Sequence, residues 1–126
     1  MDLSRTIAVA ALPVASLNDA SSWYRDHLGA VPAETNPGGS LYQCGGGTKF
    51  FMYESQFAGT NEATALMLQV PDLDEAIADL RSKGIRFEEY DFGELKTVDG
   101  VFTAPDGSRN AWFKDPDGNI IGVGTD

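Results

Sequence analysis

The chain states one pattern twice. Leu12, Val14, Leu17, Ala20 and Arg25 recur without a gap as Leu68, Val70, Leu73, Ala76 and Arg81, 56 residues further on. Asn18 answers Asp74, Asp19 answers Glu75 and Tyr24 answers Leu80 in the same frame. In both copies an alternating apolar stretch runs into a short helix with a polar start. The period is too long for a small solenoid unit and two copies are too few for one. The pattern therefore predicts two equivalent modules fused within a single domain of 126 residues. Module one spans 5–55, a small polar linker spans 56–63 and module two spans 64–124. A duplicated fold commonly places its site where the copies meet, so a ligand site is expected there.

Each module reads as strand, helix, then strands. The β-rich run Ile7–Val14 predicts the first strand, and Ser16 or Asn18 can cap the helix after it. Leu17, Ala20, Tyr24 and Leu28 form one helical stripe, closed by Gly29. Strands are predicted at Ala30–Thr35, Leu41–Cys44 and Lys49–Glu54, with turns at Asn36–Gly39 and Gly45–Gly47. In module two, Thr64–Val70 repeats the first strand. Asp72 caps a helix carrying Leu73, Ala76, Ile77 and Leu80, and Gly84 closes it. Further strands are predicted at Ile85–Asp91, around Val98–Thr103, at Asn110–Lys114 and at Ile120–Val123. The fold class is thus α+β: two tandem βαβββ modules whose curved, mostly antiparallel sheet surrounds a concave pocket. Strand alternation turns Leu12, Val14, Leu68 and Val70 toward the helices and leaves Val9, Ala11, Ala65 and Met67 facing the concavity.

Charge narrows the partners. Nineteen acidic against nine basic side chains give a net charge of −10, which disfavours nucleic acid because binding there depends on Lys and Arg. No run approaches the apolar length of a membrane span. Ile7–Ala15 has the look of a secretory core, but Asp2 spoils its basic flank and the stretch has a twin at Ala65–Pro71, so it is read as a strand. Cys44 is the only cysteine; it is expected as a buried thiol in a cytoplasmic protein. His27, the only histidine, is placed at the end of the first helix, where a partial positive charge suits the dipole. Gly45–Gly47 lacks the Lys-Ser/Thr that a phosphate loop needs, and neither Ser21, Ser22 nor Ser108 has a paired His and Asp in the sequence.

Four stretches, LPVASLNDASSWYRDHLG (12–29), GGTKFFMYE (46–54), LQVPDLDEAIADLRSKGI (68–85) and WFKDPDGNIIGV (112–123), resemble the vicinal oxygen chelate superfamily. That superfamily holds glyoxalases, extradiol dioxygenases, fosfomycin-resistance enzymes and bleomycin-binding proteins. The resemblance implies a paired βαβββ fold, and in the family's enzymes a metal held by His and Glu on four equivalent strands. Carried over position by position, those four places are Val9, Phe51, Ala65 and Gly122, none of which can offer a lone pair to a metal. The resemblance thus points to a metal-free branch with no cofactor. By the register of the fosfomycin-resistance enzymes, Asn110 and Trp112 face inward while Ala111 and Phe113 pack beneath the helices.

The ligand positions so assembled are Val9, Ala11, Tyr42, Phe51, Ala65, Met67, Tyr90, Phe102, Asn110, Trp112 and Gly122. They are mostly apolar and rich in rings, the composition of a small-molecule pocket. The leading expectation is sequestration of an aromatic antibiotic or toxin, as in the bleomycin-resistance branch, by a homodimer, with no catalytic residue and no metal. The alternative is a metal-free lyase, isomerase or oxygen-transfer relative with Glu54, Asp91 or Tyr42 as general base. A third is a regulatory or protein-binding module that kept the fold alone.

Overall fold

A computed structural model of the chain describes residues 1–125. The chain divides into two compact units, Met1–Ala58 and Gly59–Asp126. In the first, β1 (Ala10–Val14) leads into α1 (Leu17–Leu28), followed by β2 (Glu34–Asn36), β3 (Gly39–Gln43) and β4 (Lys49–Glu54). In the second, β5 (Thr64–Gln69) leads into α2 (Leu73–Ser82). It is followed by β6 (Asp91–Phe92), β7 (Leu95–Val98), β8 (Val101–Thr103), β9 (Arg109–Lys114) and β10 (Ile120–Gly124). The strands form two open, mixed sheets, ordered β1-β4-β3-β2 and β5-β10-β9-β8-β7-β6. In each, the strand preceding the helix pairs in parallel with the unit's last strand, and the other pairings are antiparallel.

The repeat is visible in the helix starts. Ser16 Oγ accepts from Asp19 N–H at 3.2 Å, and Asp72, 56 positions on, accepts from Glu75 N–H at 3.1 Å. Each side chain satisfies one of the free N–H groups of the first turn. In the first unit Leu12, Val14, Ala20, Tyr24, Tyr42, Phe50 and Met52 make the core. In the second it is Leu66, Leu73, Ile77, Leu80, Phe87, Ala111, Phe113, Ile121 and Val123.

Several local expectations need correction. The first strand begins at Ala10 rather than Ile7, and Ile7 is exposed. The strand expected at Ala30–Thr35 is displaced to Glu34–Asn36. Of Ile85–Asp91 only Asp91 lies in a strand, at the start of β6, and the rest carries a single bridge, Phe87 to Phe113. The strand expected around Val98–Thr103 is a hairpin, because Asp99 (φ 50°) and Gly100 (φ 80°) reverse the chain between β7 and β8. An Asp-Gly pair favours this left-handed turn, which matches strand twist. Cys44 is exposed, because it lies past the end of β3 at the start of the Gly45–Gly47 turn. His27 sits in the last turn of α1, half-buried, its ring stacked on Trp23 at 4.7 Å. No helix among the described residues is long and apolar enough to cross a membrane.

Candidate functional site

The second unit carries an open cleft of about 780 Å³ on one face of its sheet. Alternation along β9 builds it: Ala111 and Phe113 are fully buried on the face that α2 covers, while Trp112 is half-buried on the other. Register aligns the rest. Gly122 of β10 lies opposite both Trp112 and Met67, and Phe102 of β8 lies opposite Asn110. These residues therefore share the cleft face. Gly122 is glycine for want of room, since a Cβ there would overlap Met67 Sδ and lie 3.1 Å from Trp112 Nε1. The indole is held in place as Trp112 Nε1–H donates to Thr64 Oγ1 at 3.2 Å.

Tyr90 is brought over Trp112 by the extended segment before β6. Glu88 N–H donates to the Trp112 carbonyl at 2.8 Å, Tyr90 N–H donates to Thr97 Oγ1 at 2.8 Å, and Thr97 N–H donates to the Tyr90 carbonyl at 2.9 Å. The segment is thus tied to β9 on one side and β7 on the other. The Tyr90 and Trp112 rings meet edge to face, 5.7 Å apart at 67°, and Phe92 stacks beside Tyr90 at 5.6 Å. The result is a corner of aromatic walls. Burial, reinforced by the nearby Glu88 carboxylate and partly offset by Lys114, raises the Tyr90 phenol above its ordinary pKa. Glu88 and Lys114 pair at 3.2 Å along the same cleft.

The cleft is also lined by Gly59 and by Asn61 to Thr64, of which the sequence alone presents all but Thr64 only as a linker. Gly59 (φ 71°) packs so closely on the Asp117 carbonyl that a Cβ would overlap it, and its N–H donates to Asn119 Oδ1 at 3.3 Å. Asn119 is in turn fixed by the buried Asp115 carboxylate, which accepts from Asn119 N–H and Nδ2 at 2.9 Å each. The turn between β9 and β10 is thus the anchor of this wall.

Among the expected ligand positions, Tyr90 and Trp112 line the cleft, and Met67, Phe102, Asn110 and Gly122 share its face. Ala65 lies where the β5–β10 register shifts, and it is the neighbouring Thr64 that reaches Trp112. In the first unit Ala11 and Phe51 are register partners on one face, and Val9 precedes β1. Tyr42 does not join them. It is 1% exposed in the core, stacked on Phe50 at 4.8 Å, on the sheet face opposite Phe51. Glu54 is engaged as well, its carboxylate accepting from Leu17 N–H at 3.1 Å at the start of α1. Glu62, Phe92, Leu95 and Lys114 line the cleft without having been expected there. Glu62, Phe92 and Leu95 sit on irregular or newly formed segments that periodicity does not reach, whereas Lys114 ends the predicted strand on the same face as Asn110 and Trp112.

A second cleft, between α2 and β7–β9, has a different character. Its Arg81 and Arg109 are already paired with Asp99 and Asp74, at 3.3 and 3.0 Å. It carries no ring wall.

The profile of the glyoxalase/bleomycin resistance protein/dioxygenase superfamily matches residues 6–123. The chain belongs to that superfamily. A glyoxalase/bleomycin resistance protein from Catenulispora acidiphila is 25% identical, with a TM-score of 0.70 over 95% of this chain and 97% of its own. An antibiotic-binding protein from Streptomyces sp. CB03234 is 22% identical (TM-score 0.67; 96% and 97% covered). A lactoylglutathione lyase from Agrobacterium tumefaciens is 20% identical (0.71; 96% and 93%). The last two likenesses are of fold alone. No curated protein sequence matches the chain significantly.

A superfamily metal does not fit the residues present. Val9 and Ala65 offer hydrocarbon, Phe51 offers a ring stacked with Tyr53, and the place of a side chain at Gly122 is taken by Met67 and Trp112. Among the described residues no three His, Cys, Asp or Glu side chains gather in a way that could hold a metal ion. No catalytic step through a metal is therefore derived for this member of the superfamily.

Proposed function

We propose that this superfamily member binds a small aromatic organic molecule, without metal or other cofactor and without altering it, and so sequesters an antibiotic or toxin. The observation that carries this reading is the corner of Tyr90, Phe92 and Trp112 in a cleft large enough for a drug-sized ring system. Rings set edge to face, as Tyr90 and Trp112 are, let a flat ligand stack on one wall while its edge meets another. The antibiotic-binding protein of the same fold supports the reading. A cytoplasmic setting belongs to it, in keeping with a lone exposed thiol. So does a homodimer, since β1, β2, β5 and β6 are the outer strands of their sheets and such edges tend to be covered.

The test is protection with recovery. Cells expressing the chain are challenged with aromatic antibiotics, and any compound that copurifies is weighed by mass spectrometry. The expected result is protection, loss of protection in Trp112→Ala, and a recovered compound of unchanged mass. A chemically altered compound, or no protection by any of them, overturns the proposal. Sedimentation checks the dimer, which a 13.5 kDa species alone at micromolar concentration would exclude.

A further inference from the structure

The charges around the aromatic corner are not balanced. The side chains lining the cleft include two carboxylates, Glu62 and Glu88, and one cation, Lys114. Lys114 is spent on Glu88, with Nζ 3.2 Å from Oε1. None of the ion pairs among the described residues engages Glu62. One negative charge is therefore left over in the cleft. It stands on the segment anchored by Gly59 and Asn119, which lines the same cleft as Trp112 and Tyr90. Three ring faces add to this charge, because a π-face is the negative pole of an aromatic side chain and attracts a cation laid on it. The Tyr90 phenol stays protonated at neutral pH, so its ring adds no countervailing chemistry. The chain's net charge of −10 acts in the same direction at longer range.

We infer that the cleft selects flat aromatic cations over neutral or anionic molecules of the same shape, and that Glu62 is the residue that sets this preference. The inference rests on the cleft being the ligand site, as proposed above. A cation stacked at the corner is attracted both by the ring faces and by the Glu62 carboxylate of the same cleft. A neutral ring gains the stacking alone. An anion meets both the leftover carboxylate and the negative ring faces.

One ring skeleton in three charge states separates the outcomes. N-methylacridinium, acridine and acridine-9-carboxylate are titrated at slightly basic pH into the whole protein and into Glu62→Gln, with Trp112 emission as the readout. The expected order is N-methylacridinium tightest, by roughly tenfold over acridine, with the carboxylate weakest. Glu62→Gln is expected to weaken N-methylacridinium by roughly three- to tenfold and to leave acridine within twofold. Added salt shrinks the cation's advantage, as it does for any partly exposed charge. Circular dichroism confirms that the variant is folded, which its exposed position favours. Equal affinities, or a tighter neutral or anionic probe, overturn the charge preference while leaving the ligand site standing. A cation preference unchanged in Glu62→Gln removes Glu62 from its role. If none of the three probes binds, the ligand-site reading falls and the inference with it.

Discussion

Trp112 and Phe113 are neighbours in sequence and face opposite sides of one strand: Phe113 is fully buried against Phe87, while Trp112 stands in the open cleft bonded to Thr64. A strand point-reverses each successive side chain, so the two should fail differently when truncated. Trp112→Ala is expected to weaken an aromatic ligand by roughly 1–3 kcal/mol and to cost little stability. Phe113→Ala is expected to cost ~3–5 kcal/mol of stability through the cavity it leaves. Ligand titration beside chemical denaturation checks both. A ligand-specific effect at Phe113 with stability intact would reverse the register.

Gly59 is an anchor point of the cleft wall, and alanine there meets two penalties. Its φ of 71° lies in the left-handed region, and the added Cβ runs into the Asp117 backbone, which cannot swing aside. Left-handed strain and overpacking together suggest ~2–5 kcal/mol of lost stability. Gly107 is the control: its φ of 89° is equally unfavourable, but nothing lies within 4 Å of its Cβ position. Gly107→Ala should cost only ~1–2 kcal/mol. Comparable denaturation midpoints for the two variants would contradict the close packing at Gly59.

The sequence carried the helix starts because a cap is local: Ser16 and Asp72 need only their own first turn. The opposite fates of Trp112 and Phe113 were also legible, since alternation is a property of any strand. What escaped was set by distant contacts. Gln43, at the end of β3, and Cys44, past it, differ by one residue, and no local signal separates them. Tyr42 could not be assigned to a face until its pairing with Phe50 was known. The hairpin at Asp99-Gly100 was within reach, because Asp-Gly between Val98 and Val101 is a strong turn signal. The cleft wall at 59–63 was not: it is placed by Asn119, 60 residues away.

The Tyr90 phenol should titrate late. Burial first, and Glu88 second, raise its pKa above the ordinary value of 10.0, with Lys114 acting against them. A raised pKa means the folded state holds the proton more tightly than the unfolded chain does. The associated stability is therefore fully present below pH 10 and is lost as pH rises through the higher folded value. Absorbance titration of the phenolates is expected to lose a late component in Tyr90→Phe. Glu88→Gln should bring it part of the way down, and Lys114→Met should push it further up. If the component lost in Tyr90→Phe titrates at the ordinary value of 10.0, the phenol is not perturbed.

Met67 and Gly122 should be coupled. A methyl group on Gly122 would overlap the Met67 thioether and crowd Trp112 Nε1, which is committed to Thr64. Met67 is half-exposed and flexible, so it can swing away, but only by leaving the space above Gly122. Gly122→Ala alone is therefore expected to cost ~1–3 kcal/mol and to shift Trp112 emission to longer wavelength. Met67→Ala removes one of the two obstacles. In the double variant the penalty of Gly122→Ala should shrink, with a coupling of roughly 0.5–3 kcal/mol in a double-mutant cycle. Strict additivity would mean that the thioether does not occupy the space above Gly122. The reason for glycine at this position would then have to be sought in Trp112 alone.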